Sequence, residues 1–192
     1  MELGEKNDLA LIKLNTPVTS VLPARLYRER DELSKTVWFI GSGGTGTGLT
    51  GETVGYKENN GTLRKAQNKV DKVTKSDLRF IFDKGEKGVE LEGVSGNGDS
   101  GGPAFIFQDD EFYLLGVSSR ADSWFKDVAE YGVKELYTRV SVHAGWVDSV
   151  IAANETQRAK ISSLESFLQP GMTPEKMPQI CASIGFMPNS TL

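Results

Sequence analysis

Gly98-Asp99-Ser100-Gly101-Gly102-Pro103 stands directly before an apolar run that begins at Ala104. The glycines lack a Cβ, so another molecule's carbonyl group could come close to the backbone N–H groups, which would stabilise an oxyanion. The same residue types are also typical of a tight turn with a polar tip, because Gly, Asp and Ser favour turns. From these residues alone, a reactive Ser100 and an ordinary turn both remain open interpretations.

Short apolar runs separated by turn residues predict a mainly β structure around this hexapeptide. Twenty-one glycines among 192 residues favour turns and close backbone contacts over a helix bundle. Each run has the length and pattern of a strand, and the first is expected to be buried. The predicted strands are Leu9–Leu14, Val37–Ile40, Leu78–Phe82, Ala104–Phe107, Phe112–Val117 and Leu136–Val140.

The pattern changes after the last strand. Trp146, Val147, Val150 and Ile151 share one face at helical spacing, and helix-compatible residues continue to about Leu168. The sequence therefore predicts an all-β body followed by a C-terminal helix.

Charge and composition exclude several classes of partner. The net charge of −4 argues against nucleic acid, since a phosphate-binding surface needs clustered Lys and Arg, and the mildly basic stretch Lys65–Lys72 is expected to be a solvated face. No apolar run approaches the length of a membrane-spanning helix. Cys181 is the single cysteine, so no disulfide can form within one chain.

The hexapeptide Gly98–Pro103 resembles, residue for residue, the nucleophile motif of the chymotrypsin/trypsin family of serine proteases. This resemblance implies that Ser100 is the nucleophile and that the backbone N–H groups of Gly98 and Ser100 form the oxyanion hole. It also implies that Asp99 pairs with a freshly cleaved N-terminal amine.

Two further segments resemble the same family. Asn7–Leu14 is similar to the segment around the catalytic aspartate, which implies that Asp8 is the triad acid, although alone Asp8 could simply begin a strand. Tyr137–Val140 followed by Trp146–Val147 resembles the last strand and terminal helix. The resemblance implies a trypsin-like double β-barrel with an incomplete first barrel and a C-terminal α-helix. Residues 1–152 would be the peptidase domain, and 153–192 a helical extension and tail of unknown role.

The triad base is missing from the sequence. A histidine normally takes the proton from the serine hydroxyl, and in this family it precedes the aspartate. The single histidine, His143, is expected at the surface, away from the cleft. Two explanations stay open: an N-terminally truncated product, or a naturally shortened or inactive relative. An incomplete barrel would expose unpaired sheet edges, which favours truncation, and the full-length protein is then expected to be secreted or periplasmic.

The resemblance also concerns substrate selection. Val94 falls near the position at which an aspartate gives trypsin its preference for basic side chains, so a small or apolar residue before the scissile bond is expected. Ser119 matches a residue on the strand that lines the cleft.

No metal or cofactor is expected. The sequence has no His/Cys cluster for zinc. Gly41–Gly46 fits a dinucleotide fingerprint literally, but turn residues follow it where a helix would be required. The predicted function is that of a monomeric serine-type endopeptidase acting on protein or peptide substrates. The alternative is a catalytically inactive, protease-like binding module.

Overall fold

The computed structural model describes residues 2–3, 7–121 and 128–153. Cys181 and most of the predicted extension 153–192 lie outside this range, as does the predicted helix beyond residue 153. The described part contains strands, one short 3₁₀ turn at Gly85–Lys87 and the helix α1 at Ala144–Ala152. The strands are β1 (Glu2–Leu3), β2 (Asn7–Ala10), β3 (Arg25–Leu26), β4 (Thr36–Gly41), β5 (Thr45–Thr47), β6 (Gly51–Val54), β7 (Arg64–Lys69), β8 (Lys72–Val73), β9 (Asp77–Ile81), β10 (Pro103–Gln108), β11 (Glu111–Ala121) and β12 (Lys134–Arg139).

One curled sheet organises these strands. Its order is β7-β4-β10-β11-β12-β9-β8, with β3 alongside β11, while β1-β2 and β5-β6 form separate pairs. Because β7 and β8 belong to the same segment, residues 64–73, the two ends of the sheet meet there. The Asp71 N–H group donates to the Arg79 carbonyl at 2.9 Å at this junction. The predicted β fold with a C-terminal helix is confirmed.

Alternating side chains on neighbouring strands build the core of this sheet. Val37 and Phe39 point inward from β4, and Leu78 and Phe80 from β9. The rings of Phe39, Phe80 and Tyr137 lie with centroids 5.0 to 5.1 Å apart. Each such buried ring contributes about 1.5–3 kcal/mol by leaving water. This cluster supports the strands from which the site loops extend.

The predicted strands at Ala104–Phe107 and Phe112–Val117 are present as β10 and β11, which form an antiparallel hairpin. Pro103 pairs with Val117, and Gln108 pairs with Glu111 at the turn. Asp109 and Asp110 occupy the two turn positions with φ of 51° and 60°. Such left-handed values match the right-handed twist of the flanking strands.

The expected buried strand at Leu9–Leu14 is wrong in both extent and burial. The observed strand is β2, and Ile12 and Leu14 are 84% and 58% exposed. Within the described residues β2 pairs only with β1, and no second layer covers the segment that follows it. An apolar run is buried only where another layer packs against it, so the run alone did not determine its environment.

The basic stretch Lys65–Lys72 contains a strand that the sequence analysis missed. Lys65 is exposed as expected, but β7 pairs with β4 over its full length, and Asn68 on it is buried. The Asn68 amide donates to the carbonyl groups of Ile81 and Gly93 at 2.9 and 3.0 Å. Asn68 is thus a buried, hydrogen-bonded polar residue in a strand, although the sequence around it does not distinguish a strand from a loop.

The helix α1 packs one face against the body. Ala144, Val147 and Val150 are buried, whereas Ile151, expected on the same face, is exposed. In the described part of the chain, no helix is long and apolar enough to cross a membrane.

Candidate active site

The loop that carries Ser100 is attached to β11 by backbone hydrogen bonds. The Gly101 N–H donates to the Ser118 carbonyl at 2.9 Å, and the Ser118 N–H donates to the Gly102 carbonyl at 2.8 Å. Gly98 and Gly101 have φ of 95° and 80°, values that favour glycine. Ser100 is therefore held at an exposed bend between these two glycines, as the hexapeptide suggested.

Two backbone N–H groups of this loop have no hydrogen-bond acceptor among the described residues. Those of Asp99, Gly101 and Gly102 donate to carbonyl oxygens. In contrast, the N–H groups of Gly98 and Ser100 donate to no residue that the structure describes. These are the two groups that the sequence analysis predicted to form an oxyanion hole.

Asp99 points away from solvent into a glycine-lined recess. Its Oδ1 accepts from the Gly43 N–H at 2.7 Å, and its Oδ2 accepts from the Gly96 N–H at 3.0 Å. A Cβ on Gly41 or Gly43 would overlap the carboxylate, so glycine is required at both positions. No Lys or Arg of the described residues forms an ion pair with Asp99, and the carboxylate borders a cavity of about 300 Å³.

Asp8 lies against β11 and β12. Its Oδ2 accepts from the Ser119 hydroxyl at 2.8 Å, and its carbonyl oxygen accepts from the Thr138 hydroxyl at 2.7 Å. Ser119, predicted as a pocket residue, thus contacts the predicted triad acid. Since Ser118 binds the nucleophile loop and Ser119 binds Asp8, adjacent residues of one strand bring the two predicted catalytic segments together.

His143 directly precedes α1, and the expectation of a surface residue is wrong for its ring. The side chain is half-buried, and Nε2 is enclosed without a partner in the described structure. Its backbone hydrogen bonds connect it to Val140 and Val147, rather than to Ser100 or Asp8. Burial lowers the pKa of His143 below its usual 6.5.

This depressed pKa predicts acid lability. The folded state favours neutral His143, so its contribution to stability is full above pH 6.5 and is lost as the pH falls through the lower folded-state pKa. We expect the melting temperature of His143→Phe to fall less between pH 7.5 and pH 5 than the melting temperature of the original protein does. Thermal denaturation at both pH values checks this, and an identical pH dependence in the two proteins would contradict it.

Val94 is half-buried at the start of the loop that leads to Ser100. The next residue, Ser95, contacts Glu135, a buried carboxylate that the sequence analysis did not identify. Glu135 on β12 is only 5% exposed, and its Oε2 accepts from the Ser95 N–H and hydroxyl at 3.1 and 2.7 Å. Burial raises the pKa of Glu135 to about 7. Glu135 lies two positions before the buried Tyr137 on β12. This strand alternation was the signal in the sequence that the Glu135 side chain points inward.

The described ranges hold no group of three or more His, Cys, Asp or Glu side chains that could bind a metal ion. A family model described as Trypsin matches residues 2–147, which is more than half of the chain and includes all of the predicted site residues.

Proposed function

Because the chain belongs to the trypsin family, we propose that it is the serine-bearing part of a serine-type endopeptidase. Membership supports a protease function in general. The observation that carries the finer proposal is the convergence on β11, where Ser118 holds the nucleophile loop and Ser119 holds Asp8. We assign Ser100 as the nucleophile and Asp8 as the acid, with the base a histidine supplied from outside this sequence.

In the proposed reaction, the base removes the Ser100 hydroxyl proton as Oγ attacks the peptide carbonyl carbon. Asp8 orients the base and stabilises its protonated form. The carbonyl oxygen becomes an oxyanion, and we propose that the N–H groups of Gly98 and Ser100, which have no acceptor in the described part of the chain, bind it. The base then protonates the leaving amine, and water releases the acyl group from Ser100 in a second cycle.

We further propose that the cavity beside Asp99 receives an ammonium group, such as a newly formed N-terminal amine. The Asp99 carboxylate already accepts from two backbone N–H groups, but it has no cationic partner within the described residues. A partly buried carboxylate gains most from an added cation where none is present. Occupation would hold Asp99, and with it the neighbouring Ser100, in place.

Trypsin-like proteases are commonly secreted or extracellular, and we propose the same for this protein. The proposed substrates are proteins or peptides.

Labelling with a fluorophosphonate tests the catalytic proposal. We expect the protein produced from its native gene to gain one covalent adduct by intact mass, because an activated serine attacks phosphorus. Ser100→Ala should abolish the adduct, whereas Ser20→Ala, at an exposed serine outside the hexapeptide, should retain it. A folded protein that stays unlabelled would instead support the inactive binding module.

A further inference from the structure

The peptide group between Asn97 and Gly98 has a fixed orientation in the structure. Its carbonyl oxygen, that of Asn97, accepts from the Gly44 N–H at 2.9 Å. This peptide bond is trans, so its N–H points opposite to its carbonyl oxygen. The Gly98 N–H is therefore directed away from Gly44, and it has no acceptor among the described residues. It is one of the two donors of the proposed oxyanion hole.

Glu52 on β6 holds the peptide group on the other side of Asn97. Its Oε2 accepts from the Asn97 N–H at 2.8 Å, and its Oε1 accepts from the Asn97 side-chain amide at 3.1 Å. Hydrogen bonds to an ionised acceptor are stronger than those between neutral groups. Asn97 is thus bound through its N–H, its side chain and its carbonyl group. Neither peptide group that flanks Asn97 can turn without breaking at least one of these bonds.

Two glycines give the Glu52 carboxylate the room that it needs to reach Asn97. A Cβ on Gly44 would overlap the carboxylate, and a Cβ on Gly96 would lie 3.0 Å from its Oε2. The Glu52 backbone is fixed as well, because its N–H donates to the Val128 carbonyl at 2.8 Å. Both the carboxylate and the strand that carries it are therefore held in place.

The position of Gly98 depends on these neighbours because glycine itself restricts the backbone little. Gly98 is exposed and has a φ of 95°, a conformation that glycine adopts readily among many others. The two preceding N–H groups are each held by a carboxylate: Asp99 accepts from that of Gly96, and Glu52 from that of Asn97. The direction of the Gly98 N–H is therefore set by the bonds to Asn97 and not by Gly98.

We propose that Glu52 is a positioning residue for the oxyanion hole, which directs the Gly98 N–H toward the substrate by holding Asn97. This inference rests on the proposed protease function and adds to it a residue that lies outside the nucleophile motif. In this role Glu52 touches neither the substrate nor the reacting atoms. The oxyanion forms only in the transition state, so loss of Glu52 should lower kcat and leave KM nearly unchanged.

Hydrolysis of a peptide anilide by the protein produced from its native gene tests this role. Removal of an oxyanion-hole donor costs about 10²–10³-fold in kcat. Glu52→Ala should cost less, about tenfold or somewhat more, because the Gly98 N–H remains but has the productive direction only part of the time. Glu52→Gln should lose less than Glu52→Ala, since its amide oxygen can still accept from the Asn97 N–H. Glu58→Gln, at an exposed glutamate of the loop after β6, should leave kcat unchanged.

A pair of inhibitors separates this role from general support of the loop. The Ser100 oxygen would add to the carbonyl carbon of a peptide aldehyde, and the adduct oxygen would occupy the oxyanion hole. The peptide alcohol of the same sequence has no carbonyl at that position and cannot form the adduct. Glu52→Ala should weaken inhibition by the aldehyde by about the same factor as kcat and leave inhibition by the alcohol unchanged.

A purely structural role of Glu52 would give a different result. KM, the affinity for both inhibitors and the melting temperature of Glu52→Ala would then change together. That result, or full kcat in a folded Glu52→Ala, would overturn the proposal.

The two hypotheses fail separately. Fluorophosphonate labelling of the original protein, with equal kcat in Glu52→Ala, would leave a protease and reject the role of Glu52. A folded original protein that is not labelled and hydrolyses no peptide would reject the protease function, and the role of Glu52 with it.

Discussion

Asp8→Asn is expected to lower kcat about 10⁴-fold for peptide substrates in the protein produced from its native gene. An asparagine can still accept from the Ser119 hydroxyl, which now donates to Asp8 Oδ2 at 2.8 Å. Its NH₂ group would then face the base and favour the wrong tautomer of a histidine, and removal of the acid from a triad costs about this factor. The main-chain bond from Thr138 to the residue 8 carbonyl is unaffected, so folding should be retained.

Steady-state kinetics and thermal denaturation together check this expectation. Asp148→Asn is the matched control, because Asp148 is an exposed aspartate whose partner Arg28 lies outside the site. It should leave kcat unchanged. Loss of less than tenfold in Asp8→Asn, with the fold intact, would mean that Asp8 is not the triad acid.

Glu32→Ala is expected to lower the free energy of unfolding by about 3–5 kcal/mol, because it leaves a buried guanidinium without its partner. Arg139 is 8% exposed, and Glu32 receives both its Nε and its Nη2 hydrogen bonds. Burial alone would raise the pKa of Glu32, but the hydrogen bonds from Arg139 and Ser141 outweigh it and lower the pKa. The contribution of the pair to stability is therefore full above the ordinary carboxyl pKa and is lost as the pH falls through the lowered pKa of Glu32 in the folded state.

The surface pair of Arg28 and Asp148 offers a control with the same bidentate geometry. Both of its hydrogen bonds measure 2.8 Å, but both side chains are about half exposed. Asp148→Ala should therefore change stability much less than Glu32→Ala. Urea denaturation of both variants at pH 7 measures the difference. Equal losses would show that burial does not determine the value of the Arg139 pair.

The sequence predicted those parts of the fold in which local pattern and tertiary environment agree. The predicted strands β4 and β9 place alternate apolar side chains in the core cluster, and Val147 and Val150 of α1 are buried as their helical spacing indicated. Leu9–Leu14 departed from its prediction because burial depends on a second layer, which the described structure does not place there.

Site residues divide in the same way. Ser100 and Asp8 occur in continuous motifs, and their segments could be recognised without coordinates. Glu135 could not be recognised in this way, because its hydrogen bond from Ser95 and its pairing with Ala121 involve segments that are distant from it in the sequence. The burial of His143 Nε2, which has no partner among the residues that the structure describes, likewise depends on packing, and no spacing along the chain reveals it.

The recess around Asp99 constrains how the sequence can vary. Gly41 and Gly43 have no room for a Cβ while the Asp99 carboxylate occupies the recess, although 56 positions separate Gly43 from Asp99 in the chain. A larger residue at either glycine would displace the carboxylate, and a smaller residue at 99 would leave the Gly43 and Gly96 N–H groups without an acceptor. The three positions are therefore coupled, because a substitution at any one of them disturbs the contacts of the others.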